Sequence, residues 1–187
     1  GSTNYLAKRS PMGQWGTMGV AGTTIGYSAG GQVVYTIMAN AAGTIFIGGQ
    51  FGTAGGTQGA WYVARWEAAT GFGTLTGGTL NNLVRSLLFT GTLYAGGDFT
   101  IVNGSAARYV ARYVNSAWGT LTGGTIDSGP NTLARGLDGR IFVGGIHNLA
   151  GGTLANGIAF WNGAWGTMGT VSAAGNVIDI AVAPNGI

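Results

Sequence analysis

The sequence contains no cysteine and only three prolines. The absence of cysteine excludes disulfide bonds, thiolate metal sites and cysteine nucleophiles. Charged residues make up only 7% of the chain, against about 25% in a typical globular domain. The eight basic residues are scattered, and no basic run is longer than Lys8-Arg9. Because nucleic-acid-binding domains usually cluster lysine and arginine on one face, we do not expect nucleic acid as a partner.

Long hydrophobic runs are also missing. Glycine, threonine and asparagine interrupt every apolar stretch before it reaches the roughly 18 residues of a membrane-spanning helix. The chain has one histidine and five dispersed acids, and it has neither a two-histidine metal spacing nor an Asp-x-Asp-x-Asp-Gly calcium loop. We therefore expect no membrane insertion, no metal site and no cofactor.

Glycine, in contrast, is abundant, with 39 residues. The apolar fraction is 45%, and six Trp, seven Tyr and seven Phe are spread along the chain. A disordered segment lacks the aromatic and β-branched residues that bury apolar surface. The glycines therefore indicate tight turns in a packed protein, and we expect residues 1–187 to form one domain.

The strongest feature is an internal repeat of about 47 residues. Its first element is an apolar triplet followed by a glycine pair, its second is centred on Ala-Arg or Ala-Phe, and its third is an aromatic-Gly-Thr-aliphatic segment. The first element occupies residues 45–49, 93–97 and 141–145. The second occupies residues 62–66, 109–113 and 157–161, and the third occupies residues 72–75, 118–121 and 165–168. Short β-rich runs between Gly, Asn and Asp turns predict antiparallel strands.

A fourth copy of the repeat is divided between the two ends of the chain. Residues 5–8 match the second element and residues 15–18 match the third. Residues 177–182 resemble the first strand of each repeat, which precedes the apolar triplet and its glycine pair. Residues 184–186 resemble the turn between that first strand and the triplet. The copy lacks the apolar triplet with its glycine pair. Residues 20–32 lengthen the first connection by about ten residues, which is typical of a loop on one face of a repeat array.

Each repeat thus predicts four short strands, the unit of a propeller blade. A single sheet cannot cover both of its own faces, so neighbouring sheets are expected to pack face to face. The fold class predicted is all-β: a propeller-like array of four-stranded antiparallel blades, with three full blades and one split blade.

Over nearly the whole chain, the succession of Gly-Gly, Ala-Arg-aromatic and Trp-Gly-Thr-Leu motifs resembles bacterial and viral β-propeller repeats, of the kelch-like or delta-60 type. The resemblance implies the propeller fold. It implies no particular activity, because propellers include enzymes, lectins and scaffolds. Phe160 departs from the pattern, since it stands where the other copies have Lys8, Arg65 and Arg112.

His147 is the first candidate for acid–base or metal chemistry. It aligns with Phe51 and Phe99, so the sequence favours a packing role in an aromatic position. Among the acids, hydrolytic chemistry requires two converging carboxylates, and only a meeting of Asp98 with Asp127 or Asp179 would provide them. We therefore expect no enzyme activity, with a glycoside hydrolase as the least favoured alternative.

Four residues are candidates for ligand binding. Lys8, Arg65 and Arg112 form a basic column that could bind acidic sugars or a partner, although the favoured interpretation is that their stems pack along the next sheet. Trp61 lacks aromatic counterparts in the other copies and is the tryptophan most suited to a non-structural role. The repeated aromatic residues Trp15, Phe72, Trp118 and Trp165 instead indicate packing between blades.

These features predict a non-catalytic structural or recognition module in an extracellular or virion-surface assembly, such as a phage tail or fibre. The alternative is a carbohydrate-binding lectin propeller, with surface glycans as the partner. Because the fourth blade lacks an interior strand, we expect another polypeptide chain, a second copy or a parent assembly, to complete it by β-strand addition.

Overall fold

The computed structural model describes residues 7–9, 12–17, 25–26, 32–55, 57–168 and 175–184. Within these residues the protein contains strands and turns, and no helix is long and apolar enough to cross a membrane. The strands are β1 (Ala7–Arg9), β2 (Trp15–Thr17), β3 (Ile25–Gly26), β4 (Val33–Ala39), β5 (Ile45–Gln50), β6 (Thr53–Ala54), β7 (Thr57–Gln58), β8 (Val63–Glu67), β9 (Gly71–Thr74), β10 (Val84–Phe89), β11 (Leu93–Gly97), β12 (Ile101–Val102), β13 (Ser105–Ala106), β14 (Val110–Val114), β15 (Ala117–Thr120), β16 (Pro130–Arg135), β17 (Ile141–Gly145), β18 (Leu149–Ala150), β19 (Thr153–Leu154), β20 (Ile158–Trp161) and β21 (Trp165–Thr167).

The three complete repeats form three four-stranded antiparallel sheets. The first sheet has the order β4-β5-β8-β9, the second β10-β11-β14-β15 and the third β16-β17-β20-β21. The predictions of an all-β fold and of four-stranded antiparallel sheets are confirmed. Each sheet also carries a small hairpin between its second and third strands, formed by β6-β7, β12-β13 and β18-β19. The repeat analysis did not predict these hairpins, because their strands are only two residues long.

The second glycine of each pair faces a β-bulge in the first strand of its sheet. The register shifts between Val84 and Ser86 opposite Gly97, and corresponding shifts occur in β4 and β16. A Cβ atom on Gly97 would overlap the carbonyl oxygen of Leu83. Glycine is therefore required where the bulged strand approaches its neighbour most closely.

The first glycine of each pair is the contact point between successive sheets. A Cβ on Gly48 would lie 2.8 Å from Val84 Cγ1, and a Cβ on Gly96 would lie 2.7 Å from Pro130 Cγ. Val84 and Pro130 occupy equivalent places in the first strands of the second and third sheets. The first strands of the second and third sheets thus each pack on the first glycine of the preceding sheet's pair.

Hydrogen bonds and apolar clusters also connect the facing surfaces of successive sheets. Leu87 N donates to Thr36 Oγ1 at 3.3 Å, and Leu133 N donates to Ser86 Oγ at 3.0 Å. One apolar cluster lies between the first and second sheets and includes Phe46 and Trp118. A second cluster lies between the second and third sheets. The three sheets therefore pack face to face, and each interface repeats the previous one.

Residues 175–184 occupy the next position in this series. A Cβ on Gly144 would lie 2.6 Å from Val177 Cγ1 and 3.0 Å from Ile180 Cδ1. Thr132 Oγ1 donates to Asp179 Oδ1 at 3.0 Å, and Val177 N donates to the Gly145 carbonyl at 3.0 Å. The segment packs on the third sheet as β16 packs on the second.

The predicted strand at residues 177–182 is nevertheless not formed. The sequence prediction of a strand was wrong here because a strand requires a ladder of backbone hydrogen bonds, and among the described residues no second strand pairs with this segment. From the N-terminal half of the split repeat, β1 pairs with β2, with Lys8 opposite Gly16. Tyr5, Leu6 and Met18 lie outside the described residues.

Candidate functional site

A groove opens between the first and second sheets, at the end where the turns after β4, β8 and β14 lie. Its volume is about 190 Å³. We call it the inter-sheet groove and define it by six of its lining residues: Thr44, Phe46, Arg65, Glu67, Tyr113 and Ser116. The groove combines one cation, one carboxylate, three hydroxyl groups and two aromatic rings.

The sheet register places Arg65 on the groove. Arg65 lies in β8 directly between Phe46 on β5 and Gly73 on β9. Its stem crosses over Gly73, so that a Cβ at that position would come within 3.5 Å of Nε. This distance is an ordinary van der Waals contact, so the arginine stem packs directly on the backbone of β9 at Gly73.

Arg65 and Glu67 form the charged wall of the groove. Arg65 Nη1 lies 3.4 Å from Glu67 Oε1, and the two side chains are 46% and 34% exposed. Thr70 Oγ1 donates to the other carboxylate oxygen at 3.2 Å. An ion pair this exposed contributes about 1 kcal/mol or less to stability. Its main consequence is to present a donor and an acceptor side by side to solvent.

Tyr113 forms the opposite wall, contributed by the second sheet. Its hydroxyl lies 3.2 Å from Thr76 Oγ1, and its ring centroid lies 5.3 Å from that of Trp118. Trp118 is itself buried in the cluster between the two sheets. Tyr113 is therefore held on both its polar and its apolar side.

The equivalent space between the second and third sheets is filled. Trp161 occupies the position of Tyr113 and is only 8% exposed. Its Nε1 donates to the Thr122 carbonyl at 3.0 Å, and the Arg112 guanidinium lies 5.8 Å from the centroid of its ring. Arg112, the counterpart of Arg65, thus engages in a cation–π contact with the next sheet. On the third sheet Phe160 replaces the arginine, and Arg140 lies 4.6 Å from the centroid of its ring.

Of the four residues proposed from the sequence as ligand-binding residues, the three whose side chains the structure describes do not share one site. Arg65 lines the inter-sheet groove, and Arg112 contacts Trp161 one interface further along. Trp61 is 43% exposed beside Tyr62, with the ring centroids 6.3 Å apart. The side chain of Lys8 lies outside the described part of the structure.

Sequence reasoning missed Glu67 and Tyr113 as groove residues. Both stand at positions where the three repeats differ: Glu67 corresponds to Val114 and Asn162, and Tyr113 corresponds to Trp161. The basic column was named from its recurrence, which neither Glu67 nor Tyr113 shares. The signal for a local site was instead the departure of one copy from the others.

His147 is fully buried, in the position that Phe51 and Phe99 occupy in the other sheets. Among the described residues neither ring nitrogen has a hydrogen-bond partner. Burial lowers the pKa of His147 below its ordinary value of 6.5, and the negative charge of Asp127 opposes this shift only in part. The neutral ring packs where a phenylalanine packs elsewhere, and it has no access to a substrate.

The carboxylates have local structural partners. Asp98 accepts two hydrogen bonds from Arg85, at 3.1 and 2.7 Å. Asp127 accepts from the backbone N–H groups of residues 148 and 149, and Asp179 accepts from Thr132. In the part of the chain that the structure describes, no group of three or more His, Cys, Asp or Glu residues is arranged to hold a metal ion.

Comparison of the sequence with protein-family models and with curated proteins finds no match to either.

Proposed function

We propose that this protein is a non-catalytic β-propeller-type module that serves in structural assembly or recognition. The observation that carries the proposal is the repeated interface between sheets. At every interface a first strand packs on the first glycine of the preceding pair, and residues 175–184 continue the series on Gly144. Units that pack on each other by one repeated operation are the basis of propellers and other repeat arrays.

The first sheet supports the proposal that the array continues beyond the described strands. Ile37 occupies the same position in β4 as Leu87 in β10 and Leu133 in β16. Leu87 and Leu133 are 3% and 7% exposed because a preceding sheet covers them, whereas Ile37 is 53% exposed. Val33 and Tyr35 on the same strand are also exposed. This apolar face corresponds to a surface that is an interface in the other two sheets.

Residues 175–184 lie at the other end of the series of sheets. They take the position of a first strand, but no described strand pairs with them. We propose that another polypeptide chain, a second copy or a parent assembly, supplies the second strand by β-strand addition. The partner strand would carry the apolar triplet and glycine pair that occupy this place in the three complete sheets.

The composition supports an extracellular or virion-surface location, such as a phage tail or fibre. Only 7% of the residues are charged, and solubility must then rest on threonine, serine, asparagine and glycine. Such a surface favours close packing within an assembly, because burying it requires the desolvation of few charges. Scattered basic residues give no support to nucleic acid as the partner.

Sedimentation velocity over a hundredfold range of protein concentration tests the proposal. We expect concentration-dependent association. Ala181 is exposed and stands where Leu88 pairs with Tyr94 in the second sheet, so Ala181→Pro removes a backbone donor from the edge to be paired. Ala181→Ser keeps that donor and is the matched control. Weaker association of the proline variant alone supports the proposal. A compact monomer at every concentration, or equal association of both variants, contradicts it.

A second candidate function, carbohydrate binding, rests on the inter-sheet groove. Its charged pair, its hydroxyl groups and the ring of Tyr113 line one concave place, together with the buried Phe46. A set of convergent polar groups beside apolar walls is the usual composition of a small-molecule site. Binding of soluble saccharides to the protein tests this candidate separately from assembly.

A further inference from the structure

The inter-sheet groove differs from the corresponding place in the other repeats, and this difference indicates what it holds. We propose that it is a single binding site for one neutral saccharide residue, with one such site in the described part of the chain. This inference rests on the second candidate function. It defines where the site lies, how many sites there are and what charge the ligand carries.

The charge of the site selects a neutral ligand. Arg65 offers only donors and the Glu67 carboxylate only acceptors, and the two groups lie 3.4 Å apart. Adjacent hydroxyl groups on a sugar ring each donate and accept, so they complement such a pair. An anionic sugar would be attracted by Arg65 and repelled by Glu67 beside it, and a cationic amine would meet the reverse. The pair therefore gives neither charged ligand a net electrostatic advantage, and a neutral sugar binds without desolvating a charge of its own.

The walls and size of the groove fit one sugar ring. Tyr113 supplies aromatic surface for the C–H face of the ring, while Thr44 and Ser116 add hydroxyl groups. Phe46 is 8% exposed because its ring stacks on Phe89, so it contributes only an apolar edge. The groove has a volume of about 190 Å³. A second groove of about 340 Å³ adjoins it and shares Thr44 and Glu67, which leaves room for a chain to continue from the bound residue.

The other repeats explain why the site occurs once. Between the second and third sheets the larger Trp161 takes the place of Tyr113, and Arg112 is engaged over its ring. On the third sheet Phe160 replaces the arginine. The carboxylate of Glu67 is replaced by Val114 on the second sheet and by Asn162 on the third. Within the described residues only the first sheet combines the arginine, the carboxylate and an open facing wall.

The test uses two-dimensional ¹H–¹⁵N NMR titrations of the protein with free sugars. The neutral probes are glucose, galactose, mannose and N-acetylglucosamine, and the anionic probes are glucuronic acid and N-acetylneuraminic acid. We expect at least one neutral sugar to shift resonances of groove residues with a 1:1 stoichiometry. A small exposed site implies a Kd of about 1 mM, or roughly −4 kcal/mol.

Three variants assign the binding to the groove. Glu67→Gln removes the charge and one acceptor oxygen, and Arg65→Ala removes the donor. Tyr113→Trp should fill the groove, as Trp161 fills the corresponding space between the second and third sheets. Because the third sheet already carries a tryptophan at this position, the fold should accept the substitution. We expect each variant to weaken binding at least tenfold. Arg108→Ala, at an exposed arginine outside the groove, is the charge-matched control and should bind as the parent protein does.

Four results would overturn the inference: no shift with any neutral sugar at about tenfold above the expected Kd, binding of the anionic sugars alone, several sites per chain, or full binding by Tyr113→Trp. Sedimentation of the same samples separates this inference from the assembly proposal. If sugar binding is absent while association persists, the saccharide site is wrong and the module remains an assembly unit.

Discussion

Replacing His147 by phenylalanine should stabilise the protein, and the gain should grow as the pH falls. The imidazole is fully buried in a position that phenylalanine fills in the first and second sheets. Neither of its nitrogens has a partner among the described residues. A buried polar group without a partner costs about 1–3 kcal/mol. Because Phe51 and Phe99 are also fully buried, His147→Phe should recover roughly 1–2 kcal/mol near pH 7.5.

The pH dependence has a definite sign. Burial holds the pKa of His147 below its ordinary value of 6.5, so the unfolded chain binds a proton that the folded chain does not. The free energy of unfolding of the parent protein therefore has its full value above pH 6.5 and decreases as the pH drops through that value. For one proton the loss between pH 7.5 and pH 5.5 is at most about 1.4 kcal/mol. The variant lacks this loss, so its advantage should widen by up to that amount.

Urea unfolding followed by tryptophan fluorescence at pH 7.5 and pH 5.5 measures both effects. His147 is the only histidine, so no other side chain of ordinary pKa titrates between these values. Asp127, the nearest opposing charge, is the same in both proteins. A parallel pH dependence of the parent and the variant would refute the argument, and so would a variant less stable than the parent at both pH values.

Three further predictions follow from the packing and the composition. Gly96→Ala should destabilise the fold by about 1–3 kcal/mol, because its Cβ would lie 2.7 Å from Pro130 Cγ; Gly119→Ala, with no atom within 4 Å of the added Cβ, should stay within about 0.5 kcal/mol of the parent in the same urea experiment. Ile37→Glu should weaken association in sedimentation and leave the urea midpoint nearly unchanged, since Ile37 is already 53% exposed. Unchanged association would show that this face is not part of the interface between chains. EDTA should leave the melting temperature of freshly purified protein unchanged, because no cysteine and only one histidine are present to bind metal; a clear drop would reveal a metal site.

The sequence predicted the sheets because the repeat encodes them directly. The glycine pairs, the turns and the alternation of apolar residues recur in three copies, and comparison of the copies predicted four short antiparallel strands per repeat without a structure. The reason for the first glycine of each pair was not accessible in this way. Only the three-dimensional contact between Gly48 and Val84 shows that it makes space for the next sheet.

The candidate site was less accessible to sequence reasoning than the fold. Arg65 was named because it recurs, but its neighbours in the groove, Glu67 and Tyr113, are specific to particular copies. Tyr113 belongs to the second repeat and faces a residue of the first, so the pairing depends on how the sheets stack. The prediction for residues 177–182 failed for a related reason, since strand formation depends on a neighbour that the sequence pattern does not provide.

The most direct test of the central claim is an experimental structure of the assembled protein by crystallography or cryo-electron microscopy. We expect sheets arranged around one axis. We also expect a strand from another chain paired with residues 177–182. Sheets that stack in an open line without a common axis would contradict the propeller arrangement. An edge at residues 177–182 that stays unpaired in the assembly would contradict the proposed role of a partner chain.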